Sequence, residues 1–324
     1  MLTRRRFLAG SIATGALMRS STISAKPALP ATPVKFDVPA GACDCHTHIF
    51  GDPQQFPFFA GRTYTPETAS PEEMAELHKR LKIERVVIVT ASVYGTDNSS
   101  TVFGIKARGD SARGVAVIDD QTRDTELDAL DHAGIRGIRL NLATFGVNDP
   151  AVARERIQSS ANRVKRLNWH VQIFTNSALI AGIKDVVAAS PVPIVFDHFG
   201  GALAEQGVGQ PGFAELLELV KSGRAYVKIS GAYRASKLAP AYADVVPLAQ
   251  ALIAANPDRV VWGTDWPHPD AVTPPGRRPT DVTPLLAIDD GRLLNELAVW
   301  APAPDVRRKI LIDNPTRLYG FDNP

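Results

Sequence analysis

Short apolar runs recur along the chain from residue 42 onward, and segments with helical periodicity separate them. The runs are rich in Val and Ile and are apolar on both faces, which is typical of strands buried on both sides of a parallel sheet. The pattern predicts eight strands, at residues 42–49, 85–90, 114–118, 137–140, 170–174, 193–196, 225–229 and 259–262.

The separating segments predict helices, because their apolar residues recur every three to four positions. Before the first of them, Ser70 and Glu73 have the spacing of a capping box, which marks the start of a helix. The helices are expected at residues 71–81, 125–132, 151–167, 178–189, 213–221 and 242–255, with a short one at 101–108.

Eight alternations of strand and helix predict a parallel sheet with helical crossovers, closed into a (β/α)8 TIM barrel. The alternative is an open, doubly wound sheet. Residues from 281 onward predict extra C-terminal helices, which we expect to pack outside the barrel. Nothing marks a second domain, so we expect residues 41–324 to form one domain.

Charge and composition narrow the class of protein. The chain has 36 Lys and Arg against 34 Asp and Glu, and this balance argues against a nucleic-acid-binding protein, which should carry a basic excess. No run of 18 apolar residues is present, so no stable membrane association is expected. Cys43 and Cys45 lie two apart on a predicted strand, a spacing that favours buried free thiols over a disulfide.

The N-terminal residues have the features of an export signal. Residues 3–8, TRRRFL, match the order of a twin-arginine signal, and an apolar stretch at 7–18 and small residues at 23–25 complete the pattern. The alternative is a basic N-terminus without structure. We expect a signal peptide at residues 1–25, a linker at 26–40, and export to the periplasm by the twin-arginine machinery.

Polar residues follow several predicted strands, at the end where the active sites of such barrels lie. The first strand ends in His46 and His48, which share a face because they are two apart. His198 follows the sixth strand, and Asp265 and His268 follow the eighth. This cluster is difficult to explain as core packing, so the sequence predicts a site here.

Four histidines require separate treatment. His268 is explained equally well by a structural role and by a role in the site. His78 and His132 lie on predicted helices and are expected to be solvated, and His170 opens the fifth strand and is expected at the opposite end of the barrel.

Two arginines, Arg139 and Arg234, also follow buried strands. A buried arginine requires an anionic partner, because an unpaired buried charge is costly. It either forms an internal salt bridge, with Asp44 or Asp197, or clamps a substrate carboxylate with its guanidinium fork. We favour the clamp.

In combination, these residues resemble the amidohydrolase superfamily, which also matches the NPTRLYG sequence at 314–320. Further motifs resemble the lactonase branch that includes 2-pyrone-4,6-dicarboxylate lactonases, sulfomuconolactone hydrolases and galactarolactone isomerases. These motifs lie at residues 44–51, 56–58, 64–66, 94–98, 197–198 and 264–269. The resemblance covers nearly the whole chain after the predicted signal and implies hydrolysis of a small anionic lactone.

The resemblance also implies roles for individual residues. We expect Asp265 to act as general base on water, and His46, His48 and His198 to donate hydrogen bonds to the lactone carbonyl. The expected substrate-binding residues are Arg139, Arg234, Ser92, Tyr64 and His268.

Metal use is a separate question. Metal-dependent relatives place a histidine at the end of the fifth strand, where this chain has Phe174. His46, His48 and Asp265 would supply three ligands if Zn²⁺ were present. The motifs resemble those of a lactonase that works without a metal. We therefore expect no cofactor, with Zn²⁺ as the alternative.

One departure from the branch bears on the substrate. The loop after the fourth strand normally has a second arginine six residues after the first, and here that position is Phe145. This favours an anionic lactone such as a sulfomuconolactone over pyrone dicarboxylate itself, in the catabolism of aromatic compounds. The alternatives are a zinc-dependent decarboxylase of an aromatic acid, a sugar-acid lactone isomerase or hydrolase, and a non-catalytic solute-binding protein.

Overall fold

The structure, a computed structural model, describes residues 27–272 and 275–322. Its main sheet has eight parallel strands, each paired with the next in chain order, and all eight were predicted. At the carboxyl ends, Asp265 N donates to His46 O and His48 N donates to Trp266 O, both at 2.8 Å, so the last strand joins the first. The predicted (β/α)8 barrel is confirmed. Its strands are β1 (Cys43–Thr47), β2 (Arg85–Val89), β3 (Ala112–Ala116), β4 (Ile135–Asn141), β5 (His170–Phe174), β6 (Ile194–Phe196), β7 (Ala225–Ser230) and β8 (Val260–Gly263).

Helices follow the strands and also form the C-terminal part of the chain. The first begins at Ser70, where Glu73 N donates to Ser70 Oγ and Ser70 N donates to Glu73 Oε2, so the predicted capping box forms. None of the described helices is long and apolar enough to cross a membrane. The helices are α1 (Pro71–Leu81), α2 (Ser99–Arg108), α3 (Asp124–His132), α4 (Pro150–Val164), α5 (Ser177–Ala188), α6 (Phe213–Lys221), α7 (Ala232–Ala235), α8 (Val246–Ala255), α9 (Asp290–Trp300), α10 (Pro304–Arg308) and α11 (Asn314–Tyr319).

The segment before the barrel is attached to it. Thr32 N and Oγ1 donate to Asp289 Oδ2 at 3.1 and 2.5 Å, and Lys35 N donates to Asn295 Oδ1 at 2.7 Å. The described part of the predicted linker therefore packs against the start of α9 instead of standing apart from the domain. The predicted signal peptide, residues 1–25, lies outside the described residues.

Side chains fill the end of the barrel opposite the strand exits. His170, at the start of β5, is buried there as predicted, and its ring packs edge-on against Tyr319 with centroids 5.2 Å apart. Gly137 on β4 makes the room, because a Cβ at that position would lie 2.3 Å from the His170 ring. Cys43 and Cys45 are buried free thiols, also as predicted, with their Sγ atoms 3.7 Å apart.

The prediction for His78 was wrong. This histidine lies on α1 but is buried, with Nε2 3.3 Å from Asp44 Oδ2 and Nδ1 2.9 Å from Arg108 Nη1. Asp44 is itself fully buried, and a buried carboxylate requires partners, which His78 helps to supply. His132, on α3, is exposed as predicted.

Candidate active site

Asp265 is the centre of a buried polar cluster at the carboxyl ends of the strands. Its Oδ1 lies 3.6 Å from Nε2 of His46, 3.6 Å from Nε2 of His48 and 3.9 Å from Nε2 of His198. Within the described chain, neither Asp265 Oδ1 nor His46 Nε2 has a hydrogen-bond partner. The four predicted catalytic residues therefore meet around one point.

The second carboxylate oxygen of Asp265 is held by residues that follow β7. Tyr233 Oη donates to Oδ2 at 2.6 Å, and Arg234 Nε donates to the same oxygen. Burial by itself raises the pKa of the Asp265 carboxyl, but Arg234 and the histidines outweigh burial and hold that pKa well below its usual value. Asp265 is therefore ionised at neutral pH, with one oxygen fixed and one available.

The backbone brings these side chains together through unusual conformations. Asp265 has a φ of 69° and His198 a φ of 47°, in the left-handed region that few non-glycine residues adopt. Gly231 has a φ of 59°, and a Cβ there would lie 3.1 Å from both Asp265 Oδ2 and His198 Nδ1. Such strain is concentrated at functional sites, and here it lies at two residues of the cluster.

Hydrogen bonds fix the orientation of two histidine rings. His48 Nδ1 lies 2.7 Å from Val89 O, and since a carbonyl only accepts, Nδ1 carries a proton. A neutral His48 therefore directs the lone pair of Nε2 towards Asp265. His198 Nδ1 lies 3.0 Å from Ser230 Oγ, and burial lowers the pKa of His198 to about 4, so this ring is neutral at neutral pH.

Lys228, on β7, lies beneath the histidines and was missed in the sequence analysis. It is fully buried, and its Nζ donates to Cys45 O at 2.9 Å and to Gln172 Oε1 at 2.6 Å. Its third close contact is His46 Nδ1, at 3.3 Å, and that nitrogen also lies 3.2 Å from Asp197 Oδ1. Donation from the ammonium would place the proton of a neutral His46 on Nε2, whereas donation to Asp197 would place it on Nδ1. The available signal was a lysine inside an otherwise apolar strand, AYVKIS.

Asp197, after β6, connects Lys228 to Arg139. Its Oδ2 accepts from Arg139 Nε at 2.9 Å and from Gln172 Nε2 at 3.0 Å, and its Oδ1 lies 3.6 Å from Lys228 Nζ. Burial raises the pKa of Asp197, but Arg139, His46 and Lys228 together hold it well below its usual value. The floor of the site thus contains one buried carboxylate held between two cations.

Both predicted arginines have carboxylate partners within the protein. Arg139 pairs with Asp197, as the internal salt-bridge alternative required, and Arg234 pairs with Asp265. Asp44, the other partner considered, instead accepts a hydrogen bond from Thr264 Oγ1 at 2.5 Å. Both contacts use Nε of the guanidinium. A substrate clamp would therefore use the Nη atoms, and that role stays a prediction.

The remaining predicted contacts lie around this centre. Tyr64 and Ser92 are buried side by side, with their hydroxyl groups hydrogen-bonded. His268 lies behind Tyr233: its ring packs edge-on against the phenol at 5.4 Å, and its Nε2 is 3.0 Å from Asp290 Oδ2. This position favours support of Tyr233 over direct contact with a substrate.

Phe145 is half exposed and lines a small cavity of about 280 Å³. Ser92 and Asn141 line the same cavity, so Ser92 is the predicted substrate contact that Phe145 lies near. A second, larger cavity, of about 900 Å³, lies next to His198, Tyr233 and Arg234.

Proximity alone would allow a metal ion to be held by His46, His48 and Asp265, or by His46, Asp197 and His198. The first set is the one expected from the sequence. Zn²⁺ requires three or four protein ligands, each with a lone pair. His48 Nε2 and Asp265 Oδ1 meet this requirement when His48 is neutral. His46 Nε2 meets it when the proton of His46 lies on Nδ1, towards Asp197, and fails it when Lys228 donates to Nδ1.

The barrel, the histidines at the end of β1 and directly after it, and the aspartate after β8 define an amidohydrolase-type enzyme. The sequence profile of the Amidohydrolase family matches residues 43–321, and the chain belongs to that family.

The chain is 36% identical over 294 residues to a 2-pyrone-4,6-dicarboxylate hydrolase of Comamonas testosteroni, covering 88% of this chain and 92% of that protein. It is also 36% identical over 298 residues to a 4-sulfomuconolactone hydrolase of Rhizobium radiobacter, covering 91% of this chain and 95% of the relative. A crystal structure of an Agrobacterium tumefaciens protein matches with a TM-score of 0.74 and 26% identity, over 91% of this chain and 100% of that one.

Proposed function

We propose that the protein hydrolyses the ring ester of a small lactone that carries a carboxylate or sulfonate group. The observation that carries this proposal is the Asp265 carboxylate, in which Oδ2 is fixed and Oδ1 faces the three histidines without a partner. The relatives at 36% identity, both named as lactone hydrolases, support the same reaction.

In the proposed reaction, a water molecule lies against Asp265 Oδ1. Asp265 takes one proton from this water as the water oxygen attacks the lactone carbonyl carbon. When the ring C–O bond breaks, Asp265 returns the proton to the leaving oxygen, so the product is a ring-opened acid and the carboxylate is regenerated. His48 Nε2 accepts the second hydrogen of the water and orients it.

Negative charge develops on the carbonyl oxygen during the attack. His46 stabilises this charge by donating a hydrogen bond from Nε2–H to that oxygen. Lys228 supports this role because donation from its ammonium to Nδ1 would keep the proton of His46 on Nε2. The expectation that all three histidines donate requires revision for His48, whose proton lies on Nδ1 when the ring is neutral.

Arg139 and Arg234 would bind the anionic group of the substrate through Nη1 and Nη2. Their Nε atoms stay with Asp197 and Asp265, so the same side chains would hold the substrate and orient the floor of the site. Positioning of this kind accelerates a reaction by holding reactants in a productive geometry.

We also propose that the reaction proceeds without a metal. The support is the hydrogen bond from Lys228, which opposes ligation by His46. Metal analysis of the purified protein, followed by activity measurements after chelation, tests this point. Loss of activity on chelation and its recovery with Zn²⁺ would favour the zinc-dependent alternatives, including decarboxylation of an aromatic acid, for which release of CO₂ is the direct assay.

The substrate is identified with a panel of carboxylated and sulfonated lactones, including pyrone dicarboxylate, a sulfomuconolactone and a sugar-acid lactone. Loss of ring absorbance, or ring opening followed by NMR, reports hydrolysis. We expect turnover of carboxylated or sulfonated lactones in aromatic-compound catabolism. Isomerisation of the sugar-acid lactone without ring opening would contradict the proposal.

The place of this activity is proposed to be the periplasm, reached through the twin-arginine machinery. The support is the sequence TRRRFL at residues 3–8. Changing Arg4 and Arg5 to Lys should leave the protein in the cytoplasm with its leader attached. Unchanged periplasmic delivery would show that the N-terminus is a different kind of segment.

A further inference from the structure

We propose that the larger cavity beside the catalytic cluster binds an apolar substituent of the lactone ring. The substrate would then be an anionic lactone with an alkyl or aryl extension. This inference rests on the proposed function, because it assigns the substrate class of the same site.

The first argument is the position and size of the cavity. His198, Tyr233 and Arg234 form its inner wall, so the cavity is continuous with the groups around Asp265. Its volume is about 900 Å³, and protein cavities of about 300–1,000 Å³ accommodate drug-sized ligands. A single lactone ring is much smaller than such ligands, so it would leave most of the space for a substituent.

The second argument is the chemistry of the outer wall. Leu203, Leu238 and Val272 line the cavity and expose 36%, 61% and 70% of their surface. They come from three loops, which follow β6, β7 and β8 respectively. Single exposed apolar residues are ordinary, but several that line one cavity mark a binding surface. Phe174, at the end of β5, extends the apolar wall towards Asp265.

The third argument is that the charged groups of the outer wall already have partners. The carboxylates of the outer wall (Glu205, Asp244 and Asp270) outnumber its one lysine, so the outer part offers little to a second anionic group. Arg234 is the cation at the inner end, so the anionic group of the substrate is directed inward and a neutral group outward. The partners are Lys237 for Glu205 (2.9 Å), Arg277, from outside the cavity, for Asp270 (3.4 Å), and the Ser236 hydroxyl for Asp244 (2.5 Å).

The first test measures binding without hydrolysis of an ester. Wild-type protein is titrated calorimetrically with lactam carboxylates, in which an amide replaces the ring ester and the ring carries hydrogen, methyl, butyl or phenyl. Each methylene that enters the cavity should raise affinity about fourfold. The heat-capacity change of binding should become more negative along the series. Equal affinities across the series would overturn the inference.

The second test assigns the effect to this cavity. The double variant Leu238→Ser, Val272→Ser should reduce the dependence of affinity on substituent length. Val299→Ser is the matched control, because Val299 is a half-exposed valine on α9 and does not line the cavity. A double variant with the wild-type dependence would place the substituent elsewhere and overturn the inference.

Turnover separates this inference from the proposed function. In the corresponding ester series, kcat/KM should rise with substituent length. Hydrolysis of the unsubstituted lactone with no gain from an extension would support the proposed function and contradict the cavity assignment. Binding that depends on substituent length, with no hydrolysis of any lactone, would support the cavity assignment and contradict the proposed function.

Discussion

The floor of the site contains Asp197, Lys228 and Asp265, all fully buried, whereas Leu238 and Val272 at its mouth are mostly exposed. On the floor, each charge lies near an opposite charge, and the groups lie on a strand or shortly after one. At the mouth, apolar side chains lie on separate loops around a large cavity. Under the proposed function the two regions have different tasks: the floor would hold the groups that make and break bonds, and the mouth would select the molecules that reach them.

The two regions also differ in how much a substitution should lower the free energy of unfolding. Removing one member of a buried ion pair typically destabilises a protein by about 3–5 kcal/mol. Surface substitutions are usually within about 0.5 kcal/mol of neutral. Thermal unfolding must therefore accompany every kinetic measurement on the floor, whereas changes at the mouth should appear in substrate preference with little effect on stability.

The largest effect is expected from Asp265→Asn, which keeps the shape of the side chain but removes the base. Loss of a general base should lower kcat about 10²–10⁴-fold. Asp305→Asn is the matched control, because Asp305 is an exposed carboxylate on α10 that lines neither cavity, and its loss should change kcat less than about threefold, as for ordinary surface changes. Retention of more than half the wild-type rate by Asp265→Asn, with unfolding unchanged, would remove Asp265 from the mechanism.

A second large effect is expected from Lys228→Met. Without the ammonium, the proton of His46 should move to Nδ1, towards Asp197 Oδ1 at 3.2 Å, and the carbonyl oxygen loses its donor. Losing one such donor costs about 10²–10³ in kcat. Lys228→Gln keeps an amide donor and should recover part of the rate.

The tautomer of His46 is the readout that a purely structural role of Lys228 would leave unchanged. It is measured by ¹⁵N NMR on histidine-labelled protein, with the His46 signals assigned from a His46→Gln variant. The wild type should carry the proton on Nε2, and Lys228→Met should carry it on Nδ1. The same tautomer in both proteins would limit Lys228 to packing and charge balance.

The third prediction uses pH to probe the burial of the floor. Burial lowers the pKa of His198 to about 4, whereas an unfolded histidine has a pKa of about 6.5. As pH falls through about 6.5, the unfolded chain binds a proton that folded His198 does not, so stability falls with pH. Between pH 7 and pH 5, His198 should lower the free energy of unfolding by about 2 kcal/mol.

Urea unfolding at the two pH values measures this change. His198→Asn should reduce the pH dependence, and His132→Asn, at an exposed position on α3, should leave it unchanged. Equal losses in the His198→Asn variant and the wild type would show that His198 titrates like an exposed histidine.

The positions of the proposed catalytic side chains could be predicted from the sequence because each lies at the end of a strand or directly after it. His46, His48, His198 and Asp265 lie where the exits of a barrel must converge, whatever the loops do. The residues that contact these side chains from below were harder to predict from the sequence. Lys228 was missed, and Asp197 was named only as one of two possible partners of the arginines, because their contacts join strands far apart in the sequence and periodicity does not specify such pairs. The burial of His78 was missed for the same reason, since its partner Asp44 belongs to another element.

The smallest effect is expected from Phe145→Arg, in the loop after β4. Phe145 is half exposed and lines the small cavity next to Ser92, so a guanidinium there would meet a substrate that is still partly hydrated. Exposed ion pairs contribute about 0.2–1 kcal/mol, or roughly 1.4- to 5-fold. The variant should therefore shift the ratio of kcat/KM for pyrone dicarboxylate over a singly charged lactone by only that factor.

Phe145→Leu controls for the lost ring and should leave the ratio near the wild-type value. An unchanged ratio in Phe145→Arg would mean that position 145 does not face the substrate. A shift of 100-fold would mean that the new guanidinium is desolvated, as Arg139 is. In that case the loop after β4 belongs to the floor, and the division between floor and mouth would have to be redrawn there.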